Sequence, residues 1–185
     1  MPKVVMTVVA VFLAAMALCQ NSKAQDESYS AILATRNAGA QQIRFTFRIT
    51  KWSTQDEIKE LGKVLKEQGQ DALFNELKKL DAGRINQVGE TGNQIAVAEK
   101  SSSDGSTVIT MITARRMSAA EQARSGGTHT DYPFGFLQVT LNDKGEGTGK
   151  MVTAAKIKYD ESKGHAVLDP YGSGATPVTN VQPLK

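Results

Sequence analysis

The chain has 185 residues and a net charge of +3, from 22 Lys and Arg against 19 Asp and Glu. It contains no cluster of Lys and Arg interleaved with aromatic residues, so we expect no nucleic-acid partner. Cys19 is its single cysteine, which excludes an internal disulfide, a zinc–thiolate site and a dithiol redox pair.

The first 24 residues have the layout of a secretory signal peptide. A basic start precedes a mostly apolar run over residues 4–18 that is short for a membrane span, and small residues stand at Ser22 and Ala24. We therefore expect cleavage after Ala24, a periplasmic or secreted protein, and no membrane span in the mature chain. The alternative is a lipoprotein anchored at Cys19, which the bulky Leu18 disfavours.

Cleavage changes the composition of what remains. The leader holds Lys3 and Lys23 but no acidic residue, so its removal lowers the net charge from +3 to +1. It also removes Cys19, which leaves the mature chain without a thiol for nucleophilic catalysis. About 160 residues remain, enough to bury an apolar core without disulfides.

Residues 25–40 are polar and rich in small side chains. Tyr29, Ile32 and Leu33 stand at helical spacing, but no clear capping residue precedes them. We interpret the segment as a polar leader that holds one helical turn. Residues 41–185 are expected to form a single domain, because no repeat, linker or composition break divides them.

The clearest strand signal lies in residues 43–50, where apolar and polar side chains alternate. This period of two is typical of a strand with one buried face and one wet face. The apolar positions are Ile43, Phe45, Phe47 and Ile49. The polar positions are Arg44, Thr46, Arg48 and Thr50.

A helical hairpin is predicted directly after this strand. Thr54 and Glu57 have the spacing of a capping box, so a helix is expected to begin at about Gln55. Gly69 can adopt the left-handed conformation that ends it, and Asp71 is predicted to cap a second, shorter helix.

The rest of the chain predicts a series of strands separated by turn residues. The expected segments are 85–88, 94–99, 107–115, 134–141, 146–159, 167–168 and 177–181, the last as an edge strand because Pro177 lacks an amide donor. The fold class is therefore α+β, with about eight mainly antiparallel strands in a curved sheet or partly closed barrel, and the helical hairpin after the first strand.

Four phrases of the sequence carry a resemblance. They are FTFRITKWST at 45–54, GQDAL at 69–73, TDYPF at 130–134 and TNV at 179–181. In these phrases the chain resembles a functionally uncharacterised family of small secreted proteins from environmental bacteria. The resemblance implies a secreted chain with a single domain, and it implies no catalytic or binding residue.

The wet face of the first predicted strand is one candidate binding site. Arg44 and Arg48 lie on it about 13 Å apart, and strand parity places Trp52 on the same face. If the strand lines a groove or barrel mouth, two guanidinium groups and an indole are suited to an anionic or sugar-like ligand. A solvated face whose arginines pair with acids of a neighbouring strand explains the same pattern.

His129 and Asp131, one residue apart in a predicted loop, form an alternative site together with His165. Three such residues do not define a metal site, and a plain exposed loop before a strand is the preferred interpretation of the first two. Residues 172–174 lack the spacing of a nucleophile elbow, and residues 142–146 fit a hairpin turn better than a calcium loop. We therefore expect no metal or other cofactor.

These residue types favour an exported, non-enzymatic, β-rich protein that binds a ligand or another envelope component. Two alternatives stay open. One is an envelope hydrolase that assembles His129, Asp131 and His165 in space, and the other is a purely structural or adhesion protein without a sizeable pocket.

Overall fold

The structure, a computed structural model, describes residues 26–34, 42–87, 92–103, 105–115, 131–170 and 174–184. The predicted signal peptide, with its cleavage position at Ala24 and with Cys19, lies outside these residues, and so does His129. Within the described residues, no helix is both long enough and apolar enough to cross a membrane.

Strands and helices follow one another along the described chain in an order dominated by strands. They are β1 (Glu27–Ala34), β2 (Gln42–Ile49), α1 (Gln55–Gln68), α2 (Gln70–Leu77), β3 (Gly83–Gln87), β4 (Asn93–Ser103), β5 (Ser106–Ala114), β6 (Phe134–Leu141), β7 (Gly147–Asp160), β8 (His165–Pro170) and β9 (Thr176–Pro183).

Eight of these strands close into an antiparallel barrel. The sheet has the order β6-β5-β4-β3-β2-β1-β9-β7-β8, and a further pairing of β6 with β7 completes the ring. β8 stays outside the ring and pairs with the C-terminal part of β7. The predicted α+β class is confirmed, and closure goes further than the partly closed barrel expected, because β1 joins β2 to β9.

The interpretation of residues 25–40 as a polar leader is wrong for residues 27–34, which form β1. Tyr29 and Ala31 of this strand are buried and Leu33 packs against the same core. The helical spacing of Tyr29, Ile32 and Leu33 was misleading, because the inward face follows the period of two through the small Ala31.

The prediction that residues 177–181 form an edge strand is also wrong. β9 lies between β1 and β7. Pro177 pairs with Lys150 of β7, whereas the pairing with β1 reaches Val178 at this end of the strand. The proline therefore stands near the strand's start, where a missing amide donor is tolerated.

Inward-facing side chains of the barrel form one apolar core, here called the interior cluster. Its buried members are Tyr29, Ala31, Phe45, Phe47, Ile49, Ala82, Ile95, Ala98, Ile109, Met111, Leu137, Val139, Leu141, Val178 and Val181. Phe45, Phe47 and Ile49 thus face inward, while Arg44 and Arg48 are exposed, which confirms the alternation predicted for β2.

The helical hairpin begins as predicted. The amide of Glu57 donates to the Thr54 hydroxyl at 3.2 Å, the amide of Thr54 donates to the Glu57 carboxylate at 2.8 Å, and α1 starts at Gln55. Gly69, with φ of 82°, is the one residue between the helices. Asp71 therefore lies inside the first turn of α2 and does not cap it, which corrects the prediction.

The hairpin packs on the outside of the barrel through a second apolar core, here called the outer cluster. Its buried members are Leu65, Leu73, Phe74, Leu77, Ala96, Val97, Phe134 and Ile157. Ala96 and Val97 belong to it while Ile95 and Ala98 of the same strand point inward, across an irregularity in the β4–β5 pairing. The two cores thus lie on opposite faces of one wall.

The two ends of the barrel are built differently. At the closed end, the β6–β7 turn is held by Asn142, whose side-chain oxygen accepts from the amides of Lys144 and Glu146. This is the hairpin turn predicted for residues 142–146. The opposite end, here called the mouth, is where β1, β3 and β5 end and β2, β4 and β6 begin.

Candidate functional site

Among the described residues, the side chains that face the barrel interior fill it near the closed end and leave space toward the mouth. Ile49, Ile109 and Val139 are 0 % exposed in the filled part. Toward the mouth, Leu33 and Ile85 are only half-buried. What remains between the strands is a cavity of about 310 Å³, here called the cup.

The base and walls of the cup are apolar. Phe45, Ile95 and Met111 form buried parts of its lining, while Ile43 and Met151 are half-buried. The lining side chains come from β1 through β7. An eight-stranded barrel is wide enough to hold one small ligand, and barrel mouths are frequent ligand sites.

The polar side chains of the described cup lining lie toward the mouth. They are the side chains of Gln87, Asn93, Thr113, Arg115 and Thr153. Among the described lining residues there is no Asp or Glu. The described rim residues can thus donate and accept hydrogen bonds, and Arg115 is the one charged residue among them, which suits a ligand with an apolar body and a polar end at the mouth.

A larger cavity of about 520 Å³, here called the groove, lies outside the barrel. It lies between α1 and the part of β7 that pairs with β8. Val97 and Ile112 contribute to its lining from the outer face of the barrel wall. Its side chains are mostly members of the outer cluster or pack against it. The cup and the groove therefore lie on opposite faces of one wall.

His165 of β8 lines the groove, and its ring orientation is fixed by the backbone. Nδ1 lies 3.0 Å from the carbonyl oxygen of Lys163. A carbonyl can only accept, so Nδ1 carries the proton and donates. In the neutral imidazole, Nε2 is then the acceptor.

The closed end carries a polar cluster that begins inside the barrel. Tyr29 stacks on Phe47 with ring centroids 5.0 Å apart, and its hydroxyl donates to Glu27 at 2.8 Å. Lys100 pairs with the same carboxylate at 2.8 Å and lies 5.3 Å from the centre of the Trp52 ring. Burial, followed by the hydrogen bond to Glu27, raises the pKa of the Tyr29 hydroxyl.

The three residues of the first candidate site lie in different environments. Arg44 and Arg48 are on the outer face of β2, and Arg48 forms an ion pair with Asp26. Trp52 lies beyond the end of β2 and packs against the interior cluster. This corrects the expectation that Trp52 shares a face with both arginines, because strand parity stops applying where the strand ends.

The alternative site is described only in part. The Asp131 carboxylate lies 3.5 Å from Lys156, and its side chain is 73 % exposed. In the β7–β8 register Lys156 pairs with Asp169 and Asp160 pairs with His165, four residues or about 13 Å along the strand. Asp131 thus contacts Lys156, and His165 pairs with Asp160, so the two residues lie beside well-separated positions of β7. The described residues contain no group of three or more His, Cys, Asp or Glu that could hold a metal ion.

Sequence patterns do not identify the residues of the cup. Its lining joins Leu33, Ile85 and Met151, which come from three separated strands. The only relevant signal in the sequence is the alternation along a strand. It predicts that Ile43 and Phe45 face inward, but it does not predict how much space the neighbouring side chains leave between them.

No protein-family model, curated protein or solved structure matches this chain. The resemblance to small secreted proteins stays a prediction.

Proposed function

We propose that this protein is exported and binds one small, mainly apolar molecule in the cup. The observation that carries the proposal is that the barrel closes completely, yet its described side chains leave a mainly apolar cavity of about 310 Å³ toward the mouth. Protein interiors are normally packed without voids of this size. A well-formed apolar cavity with a few polar groups is the usual form of a small-molecule site.

The lining sets the chemistry of the ligand. An apolar body fits against Phe45, Ile95 and Met111, and a hydroxyl, carbonyl or amide at its polar end can reach Gln87 or Asn93 at the rim. The described lining offers no carboxylate to attract a cation. We infer a neutral or weakly acidic ligand of compact shape.

Export is proposed from the sequence. Its support is the basic start, the apolar run over residues 4–18 and the small residues before the expected cleavage position. The resemblance to small secreted proteins supports the same location.

A fluorescence titration with the neutral dye N-phenylnaphthylamine tests the binding proposal. We expect saturable binding to the protein that starts at Gln25. Ile85→Trp places a larger side chain in the cup and is expected to weaken dye binding at least tenfold, because the ligand and the indole compete for one space. Thermal unfolding of both proteins establishes that the variant is folded.

Gly62→Leu is the matched control, because it adds an apolar side chain to the groove on the other face of the wall. It is expected to leave dye affinity within a factor of two. Dye binding that survives Ile85→Trp, or that Gly62→Leu removes, would overturn the proposal.

A further inference from the structure

We propose that the groove is a second binding site, for a free amphiphile that has an alkyl chain and a carboxylate, the chemistry of a fatty acid. The cup proposal does not depend on this one, since the cavities share no lining residue. The volume of about 520 Å³ lies within the range of small-molecule sites.

The apolar part of the lining suits an alkyl chain. Leu61 and Leu65 of α1 face Ile157 and Tyr159 of β7 across the groove, and Leu73 of α2 adds to the same surface. Leu65, Leu73 and Ile157 are buried, whereas Leu61 and Tyr159 are half-buried. An alkyl chain laid between these walls would cover the apolar surface of Leu61 and Tyr159 that is still open to water.

The charges of the lining point to an anionic head group. Among the described lining residues, the titratable groups besides the Tyr159 phenol are Lys59, Lys163 and His165, all bases. Lys59 pairs with Asp56 at 3.6 Å and Lys163 with Asp160 at 3.2 Å, but these acids are not part of the lining. The Lys59–Asp56 pair is exposed and therefore weak, so the Lys59 ammonium can turn toward a bound carboxylate. Lys163 is 43 % exposed, and its partner Asp160 is 24 % exposed.

The glycine at position 62 supports a ligand in the groove independently of the charges. It lies in the middle of α1, where glycine is about 1 kcal/mol less favourable than alanine. A methyl group added there would meet no atom within 4 Å, so the protein's own packing does not require a glycine. Its position on the groove lining leaves the helix backbone open to close approach by a ligand.

Isothermal titration with dodecanoate tests the proposal on the chain that starts at Gln25. We expect one site that Gly62→Leu removes and Ile85→Trp leaves unchanged. Replacing Lys59 and Lys163 together by Gln is expected to weaken dodecanoate binding about tenfold, because hydrogen bonds to charged groups are the stronger ones. Dodecanol should lose less than twofold in the same double variant, since it has no charge to pair.

Lys79→Gln is the matched control for charge. Lys79 is also exposed and pairs three residues away, with Glu76 at 2.7 Å, but it does not line the groove. It should leave dodecanoate affinity unchanged. An equal loss in Lys79→Gln and in the double variant would reveal nonspecific attraction and overturn the proposal.

Methionine-methyl NMR separates the two cavities. Met111 and Met151 line the cup, and no methionine is among the described residues of the groove. Dodecanoate is expected to shift the His165 ring signals and to leave both methyl signals in place. Shifted methyl signals, or binding lost in Ile85→Trp and kept in Gly62→Leu, would place dodecanoate in the cup and overturn the groove site while leaving the cup proposal intact. Binding to anionic vesicles without binding of monomeric dodecanoate would also overturn it.

Discussion

At the residue scale, the alternation along β2 divides side chains that hold the fold from side chains that do not. Phe47 is 1 % exposed and stacks on Tyr29, whereas Arg48 pairs with Asp26 on the outer face with 60 % of its side chain exposed. Because Phe47 and Arg48 differ so much in burial, we expect their substitutions to have very different effects on the free energy of unfolding.

Phe47→Ala is expected to lower the free energy of unfolding by about 3–5 kcal/mol, since it removes a buried ring and leaves a cavity. Arg48→Ala should change it by less than about 1 kcal/mol, the usual size of an exposed ion pair. Urea denaturation of both variants measures the difference. The reverse order would mean that the strand faces the other way.

Gly62 separates helix stability from ligand binding. Gly62→Ala is expected to raise the free energy of unfolding by about 1 kcal/mol, because alanine favours the helix and its methyl group meets nothing within 4 Å. Urea denaturation without ligand checks this value. A loss of stability would show that the glycine is needed by the fold itself, which would remove one support of the groove proposal.

At the scale of elements, the start of α1 links stability to pH. The hydrogen bond from Lys51, followed by the one from the Thr54 amide, lowers the pKa of the Glu57 carboxyl below its ordinary 4.5. A lowered folded-state pKa means that the ionised carboxylate stabilises the native protein above pH 4.5. That contribution is lost as the pH falls through the folded-state pKa.

Glu57→Gln tests this linkage. Glutamine keeps an oxygen for the Thr54 amide but has no proton to bind, so stability should fall less between about pH 5 and about pH 3 than in the parent protein. Denaturation curves at several pH values give the comparison. Identical pH profiles would mean that the carboxylate contributes nothing through its charge.

Elements with local signals could be predicted from the sequence, and elements that depend on remote partners could not. Thr54 and Glu57 lie three residues apart, so the start of α1 is determined by residues within a single helical turn. β1 has no such signal, because its inward face of Tyr29, Ala31 and Leu33 becomes apolar surface worth burying only beside β2 and β9. Asp71 failed as a cap because one glycine separates the helices.

At the scale of the whole molecule, the cup and the groove come from two different steps of assembly. The closed ring turns one face of its strands toward an interior that holds the cup, and the helical hairpin covers part of the other face to form the groove. The antiparallel class follows from turn spacing along the chain. The empty space does not, because it depends on how far side chains such as Ile85 and Met151 reach across the barrel.

The cup and the first candidate site differ in the same way. The first candidate site was predicted from chemically distinctive side chains, those of Arg44, Arg48 and Trp52. Charged residues on the outer face are common on any solvated strand, so they do not by themselves indicate a binding site. The cup is lined by ordinary apolar residues whose importance comes from their arrangement.

Methionine-methyl NMR during titration with N-phenylnaphthylamine tests the central claim most directly. If the dye enters the cup, the methyl signals of Met111 and Met151 should shift together and saturate with the same affinity as the fluorescence, because both side chains line that cavity. Saturable dye binding that leaves both signals unmoved would contradict the claim that the barrel interior is the binding site.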